Sequence, residues 1–158
     1  MKYLLKILHL ISLSIFFGSI ATFIFLGEII PPDDLSALKI SRELVASGTA
    51  YLTLPALFAT GLTGILMSGK PKSRWLWSKV VGFILIALNT TAFIYPAIET
   101  SLLHMDSHTN GSSSGAFTAA MQQEAIFGGL NLLLIFSLIA IATIKPSFKR
   151  RNKATYAT

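Results

Sequence analysis

Apolar residues in this chain come in four long runs separated by short polar stretches. The first covers about residues 3–27, with Lys2 and Lys6 ahead of it. At about 1.5 Å of rise per residue, a run of this length crosses a hydrocarbon core of about 30 Å. Ser19-Ile20-Ala21 has the small-residue look of a signal-peptide cleavage site. The run continues through Thr22-Phe23-Ile24-Phe25-Leu26, past the roughly 7–15 residues of an ordinary signal-peptide core. A retained transmembrane helix is therefore expected.

Pro31-Pro32-Asp33-Asp34 breaks that helix and starts another, because proline cannot continue the ladder and aspartate suits a helix N-terminus. Residues 35–46 are amphipathic, with Leu35, Leu38, Leu44 and Val45 set among Lys39, Arg42 and Glu43. This stretch reads either as the water-facing start of the second helix or as a separate interfacial segment. The second span is expected at about 44–68. It contains Pro55 and the small residues Ala59, Thr60, Gly61, Thr63 and Gly64, which let helix backbones approach closely.

A basic turn, Ser68-Gly69-Lys70-Pro71-Lys72-Ser73-Arg74, leads to Trp75 and Trp77, an interfacial aromatic pair. The third span is expected at about 75–98, with Lys79 one turn inside it and Tyr95-Pro96 near its far end. Residues 99–123 form the longest polar connection, and 107–115 read as a flexible loop. The fourth span is expected at about 124–145. Glu124 would open it, where the helix dipole favours a carboxylate. Residues 147–158 make a basic tail.

Composition agrees with the pattern. Of 158 residues, 53% are hydrophobic and 13% charged, and the mean hydropathy is +0.65. A soluble domain carries about a quarter of its residues as charges. The fold class expected is an all-α membrane protein, a single four-transmembrane-helix bundle over residues 1–146. With no cysteine, disulfides, thiolate metal sites and iron–sulfur clusters are excluded. The net charge of +6 does not point to nucleic acid, because the basic residues flank apolar runs instead of forming a patch. Membrane lipid, a homo-oligomer or a larger membrane complex are the expected partners.

Lys2, Lys6, Lys70, Lys72, Arg74, Lys79, Lys145 and the tail fall at one end of such a bundle. The other end carries Glu28, Asp33, Asp34, Glu43, Glu99, Asp106 and Glu124, with Lys39 and Arg42 as its positive charges. Lysine and arginine concentrate on the cytoplasmic side of a membrane protein. Both termini are therefore expected inside, in a bacterial-type inner membrane.

His9 stands out against this background. An imidazole just inside a membrane is costly without a partner and is by default a functional-site hypothesis. The alternative is a hydrogen bond to a neighbouring helix near the headgroups. At about 100° per residue, His9, Ser12, Phe16, Ser19 and Phe23 share one broad face that should turn into the bundle. Lys79 and Met67 lie at a similar depth. A neutral imidazole in an apolar bundle is a good axial ligand for haem iron. Lys6, Lys70, Arg74 and Lys79 would then meet the propionates, and Met67 is a candidate second axial ligand. Lys79 also suits simple snorkelling to the interface.

No second histidine lies within the membrane, so a haem held between two histidines of one chain is disfavoured. His104 and His108, spaced i,i+4 around Met105 and Asp106, could share a helix face and bind copper or zinc. No nucleophile–base arrangement, phosphate loop or carboxylate pair is present.

Several short motifs, taken in order, resemble the small membrane proteins that include HemJ-type protoporphyrinogen oxidases and copper-resistance-D-like proteins. They are Lys6-Ile7-Leu8-His9 with Phe17-Gly18, Pro55 with Leu62-Thr63-Gly64, Trp75-Leu76-Trp77-Ser78-Lys79, and Asn131 with Lys145-Pro146. The resemblance implies a helical bundle in which the first-helix histidine and third-helix lysine serve a porphyrin or haem. Those positions are matched by His9, the ligand, and Lys79, the candidate catalytic side chain. Ser19-Ile20-Ala21-Thr22-Phe23 replaces the Leu-Pro-Arg-Leu-Phe-like segment of HemJ, and Asn131-Leu132 replaces its Asn-Glu pair. The chain is thus nearer the uncharacterised members. Two other readings stand beside haem or porphyrin chemistry: a non-enzymatic accessory subunit of a larger complex, and copper handling through His104 and His108.

Overall fold

The computed structural model describes residues 2–31, 34–68, 74–105 and 115–144, with Lys2 and Arg74 as backbone only. Asp106, His108, Lys70, Lys72, Lys145 and the tail at 147–158 lie outside the described residues. Nearly all of the described residues are helical, with no strand among them. Helix α1 is Lys2–Ile29 and α2 is Leu35–Ser68. Helix α3 runs from Arg74 through Leu103, and α4 is Gly115–Ile144. All four are long and apolar enough to cross a membrane.

The amphipathic stretch at 35–46 is the first part of α2, not a separate segment. Asp34 caps it, its carboxylate accepting from the Ala37 amide at 3.0 Å and the Ser36 hydroxyl at 2.7 Å. These two donors hold the Asp34 carboxyl below its ordinary value. Helix α4 begins at Gly115 rather than at Glu124, so Glu124 lies well inside the helix and does not serve its N-terminus. The polar residues of 115–123 hid this start, since apolar content and not helicity marked the span.

Side-chain contacts establish the antiparallel order. His9 meets Thr60 and Thr63, and Ser19 meets Thr53, across α1 and α2. Arg42 meets Ser101 across α2 and α3, and Trp75 meets Ile141 across α3 and α4. One end of the bundle therefore gathers His9, Met67, Trp75 and Lys79, and is called here the basic end. The opposite, acidic end gathers Asp34, Glu43, Glu99 and the N-terminal part of α4.

Lipid tails are as apolar as leucine, so helix association rests on close packing more than on water exclusion. The central layer is Phe16, Ile20, Ala56, Leu57, Ile86 and Ile135, drawn from all four helices. Leu38, Met105 and Phe117 form a second cluster at the acidic end. Gly61 makes the α2–α3 approach possible, since a Cβ there would lie 2.3 Å from the Phe83 ring. Gly61→Val should therefore destabilise the bundle by about 1–3 kcal/mol, the usual cost of overpacking. Gly18→Ala, with nothing within 4 Å of its Cβ, should change little. Reversible unfolding in detergent compares the two, and equal midpoints would refute the packing role.

Two π turns interrupt the helices, Thr49–Thr53 in α2 and Thr90–Ile94 in α3. Each ends two residues before a proline, Pro55 and Pro96 respectively. A proline ring clashes with the carbonyl four residues back and removes one donor. Widening the turn relieves that clash while keeping the helix continuous. Such turns recur at functional sites. Here both begin with a buried threonine, Thr49 and Thr90, that lines the same cavity.

Candidate functional site

The inward stripe of α1 is buried as its spacing implies: Ser12, Phe16 and Ser19 face the bundle, and His9 is half-buried at its basic end. The imidazole Nδ1 lies 3.1 Å from the Thr60 carbonyl oxygen and 3.0 Å from Thr63 Oγ1. Thr63 donates its own hydroxyl hydrogen to a carbonyl, Ala59 at 2.6 Å or Thr60 at 3.1 Å. Both atoms facing Nδ1 are thus acceptors, so Nδ1 carries the proton. In the neutral ring the lone pair is then on Nε2. A metal-ligating histidine is ordinarily held in this way, with one ring N–H donated to a carbonyl or other oxygen so that the opposite nitrogen can ligate. Gly64 completes the seat, its Cβ position lying 3.4 Å from the ring. The donor set therefore fits a single axial imidazole, and it equally satisfies the expectation of a hydrogen bond to a neighbouring helix.

The other sequence-derived candidates sit around this level but are held by different partners. Lys79 rests with its ammonium 3.8 Å from the centre of the Trp75 ring, a cation–π contact. Trp75 in turn donates Nε1–H to the Ile141 carbonyl at 2.8 Å, which pins that corner of α3 to α4. The contacts named for His9 are thus to α2, and those for Lys79 lead through Trp75 to α4. Lys6 is exposed, its ammonium 5.9 Å from the Tyr3 ring. Met67 is 40% exposed, one turn beyond Thr63 toward the basic end. Arg74 opens α3.

At the acidic end, His104, just past the last residue of α3, gives Nδ1–H to the Thr100 carbonyl at 2.9 Å. Met105 is buried against Leu38 and Phe117, so its thioether serves packing. No group of three or more metal-ligating His, Cys, Asp or Glu side chains occurs among the described residues.

The most heavily built polar site was not among the sequence candidates. Arg42 is 1% exposed and pairs with Glu124 through both terminal guanidinium nitrogens, Nη1 at 2.5 Å and Nη2 at 3.3 Å. Its Nη1 also lies 3.4 Å from Ser101 Oγ and 3.1 Å from the Met121 sulfur. Three helices, α2, α3 and α4, thus converge on one guanidinium. Deeper in the bundle, Asn131 donates Nδ2–H to Thr90 Oγ1 at 2.9 Å, and Thr90 donates to the Ile86 carbonyl. Thr53 donates to Ser19 Oγ at 2.9 Å, and Ser19 to the Phe16 carbonyl.

A signal for this site was present. Leu38, Arg42, Val45 and Thr49 follow helical spacing on the buried face of α2, and Phe117, Ala120, Glu124, Gly128, Asn131 and Ile135 do so on α4. Following these stripes through their charged members places Arg42 and Glu124 inside. Treating every charge as solvated places them outside, contrary to the burial of Arg42.

No protein-family model, curated protein or solved structure matches the chain.

Proposed function

We propose that this chain is a membrane protein that binds haem b or a related porphyrin through His9, acting in electron transfer or porphyrin oxidation. It would lie in a bacterial-type inner membrane with both termini cytoplasmic, as the distribution of lysine and arginine favours. The observation that carries the reading is the His9 hydrogen-bond pattern, in which Thr60 and Thr63 take the Nδ1 proton and direct the lone pair to Nε2. A bound haem supplies one-electron chemistry at its iron. The protein's part is to orient the imidazole, exclude water with the apolar layer around Phe16 and Leu57, and offer cations to the carboxylates. Lys6, Arg74 and Lys79 stand at the correct end for that last task. Lys79, held over Trp75, is the residue proposed to act on the bound porphyrin.

The test is an absorption spectrum of the protein purified from haem-replete cells. A Soret band that disappears in His9→Ala supports the proposal. A colourless wild-type protein overturns it.

A further inference from the structure

Between the ion pair and the central apolar layer lies a cavity of about 40 Å³. Its walls carry Glu124, Asn131, Thr49, Thr53 and Thr90, contributed by three helices, with Ile20 and Phe23 of the fourth. Asn131 is 0% exposed, and its Oδ1 receives no hydrogen bond among the described residues. An unsatisfied buried acceptor is costly, the more so in a medium that offers no donor. Its companion Nδ2 is committed to Thr90, so the amide cannot turn over without giving up that bond.

The occupant of such a site is decided by charge, size and hydrogen-bond type. A cation is disfavoured because the one carboxylate in the wall, Glu124, is already neutralised by Arg42 through two hydrogen bonds. An anion is disfavoured by the same carboxylate and by the acceptor Oδ1. An organic molecule is too large, since the space holds about one to three water molecules. What fits is a small neutral donor.

We infer that this cavity is a water-binding site, in which water donates to Asn131 Oδ1 and joins it to the Glu124 carboxylate and the Thr53–Ser19 pair. The result is a hydrated half-path that enters the bundle from the acidic end. Glu124, held by Arg42, lies in its wall, and Ile20 of the central apolar layer lines it as well. The two π turns contribute, since each places its first threonine on the cavity wall. This site is independent of whether His9 carries a porphyrin.

Synchrotron hydroxyl-radical footprinting of the full chain in lipid nanodiscs tests the inference. Radicals formed from bound water oxidise the side chains beside it. Ile20 is a suitable reporter because it lines the cavity yet is only 8% exposed. Oxidation of Ile20 in the wild type is expected to fall several-fold in Asn131→Leu, which keeps the side-chain shape and removes Oδ1. Should that variant not fold, Gly128→Ala reads the same quantity. Its added Cβ enters the cavity wall at an ordinary 3.8 Å from Ile24 and leaves every polar group in place. Ile20 that is not oxidised in the wild type, or that remains equally oxidised in the folded variant, overturns the site.

Discussion

Glu124→Ala is expected to destabilise the bundle by about 3–5 kcal/mol, the range for removing one partner of a buried ion pair. The size of the effect comes from what is left behind. Arg42 is 1% exposed and would keep its charge with only Ser101 and the Met121 sulfur facing Nη1. Neither supplies a counter-charge. The charge cannot be shed, because a guanidinium stays protonated in proteins. The double replacement Arg42→Met with Glu124→Leu should behave differently. Exchanging a whole buried pair for apolar residues of similar volume is often neutral or stabilising. Reversible unfolding of Arg42→Met, Glu124→Leu and the double variant closes a double-mutant cycle. A Glu124→Ala penalty below about 1 kcal/mol would show that the pair behaves as a surface salt bridge and that the guanidinium is reached by water.

Haem affinity should fall by about 10-fold in Thr63→Val, against complete loss in His9→Ala. Valine preserves the branched shape at position 63 and removes the hydroxyl oxygen that lies 3.0 Å from Nδ1. The Thr60 carbonyl still accepts the Nδ1 proton at 3.1 Å, so the tautomer is retained with weaker restraint. That remaining partner sets the expected loss near the low end of the 10–100-fold range typical of groups behind a metal ligand. Titration of the apoprotein with haem, followed in the Soret region, gives both numbers. Equal affinity in wild type, Thr63→Val and His9→Ala would remove His9 from the site altogether. An unchanged affinity in Thr63→Val alone would leave Thr60 as the sole orienting group.

The two predictions concern opposite ends of the molecule, and the ends were unequally legible in the sequence. His9 was visible because its cost depends on hydropathy alone: an imidazole in an apolar run is conspicuous whatever surrounds it. Its partners were not. Thr60 and Thr63 belong to a stretch whose small residues already had an explanation in helix packing, and their part in holding Nδ1 emerges only when α1 and α2 are set side by side. Arg42 and Glu124 were visible as residues and misplaced as a pair. A charge in an amphipathic segment is usually solvated, and a glutamate at the edge of an apolar run resembles a helix start.

What the sequence by itself determined is the set of long apolar helices, the proline-marked breaks and the segregation of basic from acidic ends. These follow from local composition and from periodicities that need no knowledge of neighbours. Only the tertiary structure decided that Arg42 is neutralised by a residue 82 positions away. It alone placed two proline-linked π turns around one cavity, and left Asn131 Oδ1 buried there without a donor among the described residues. The physical reason is the same in each case. Burial and hydrogen-bond partnership belong to pairs of helices, and a single helix carries only half of each.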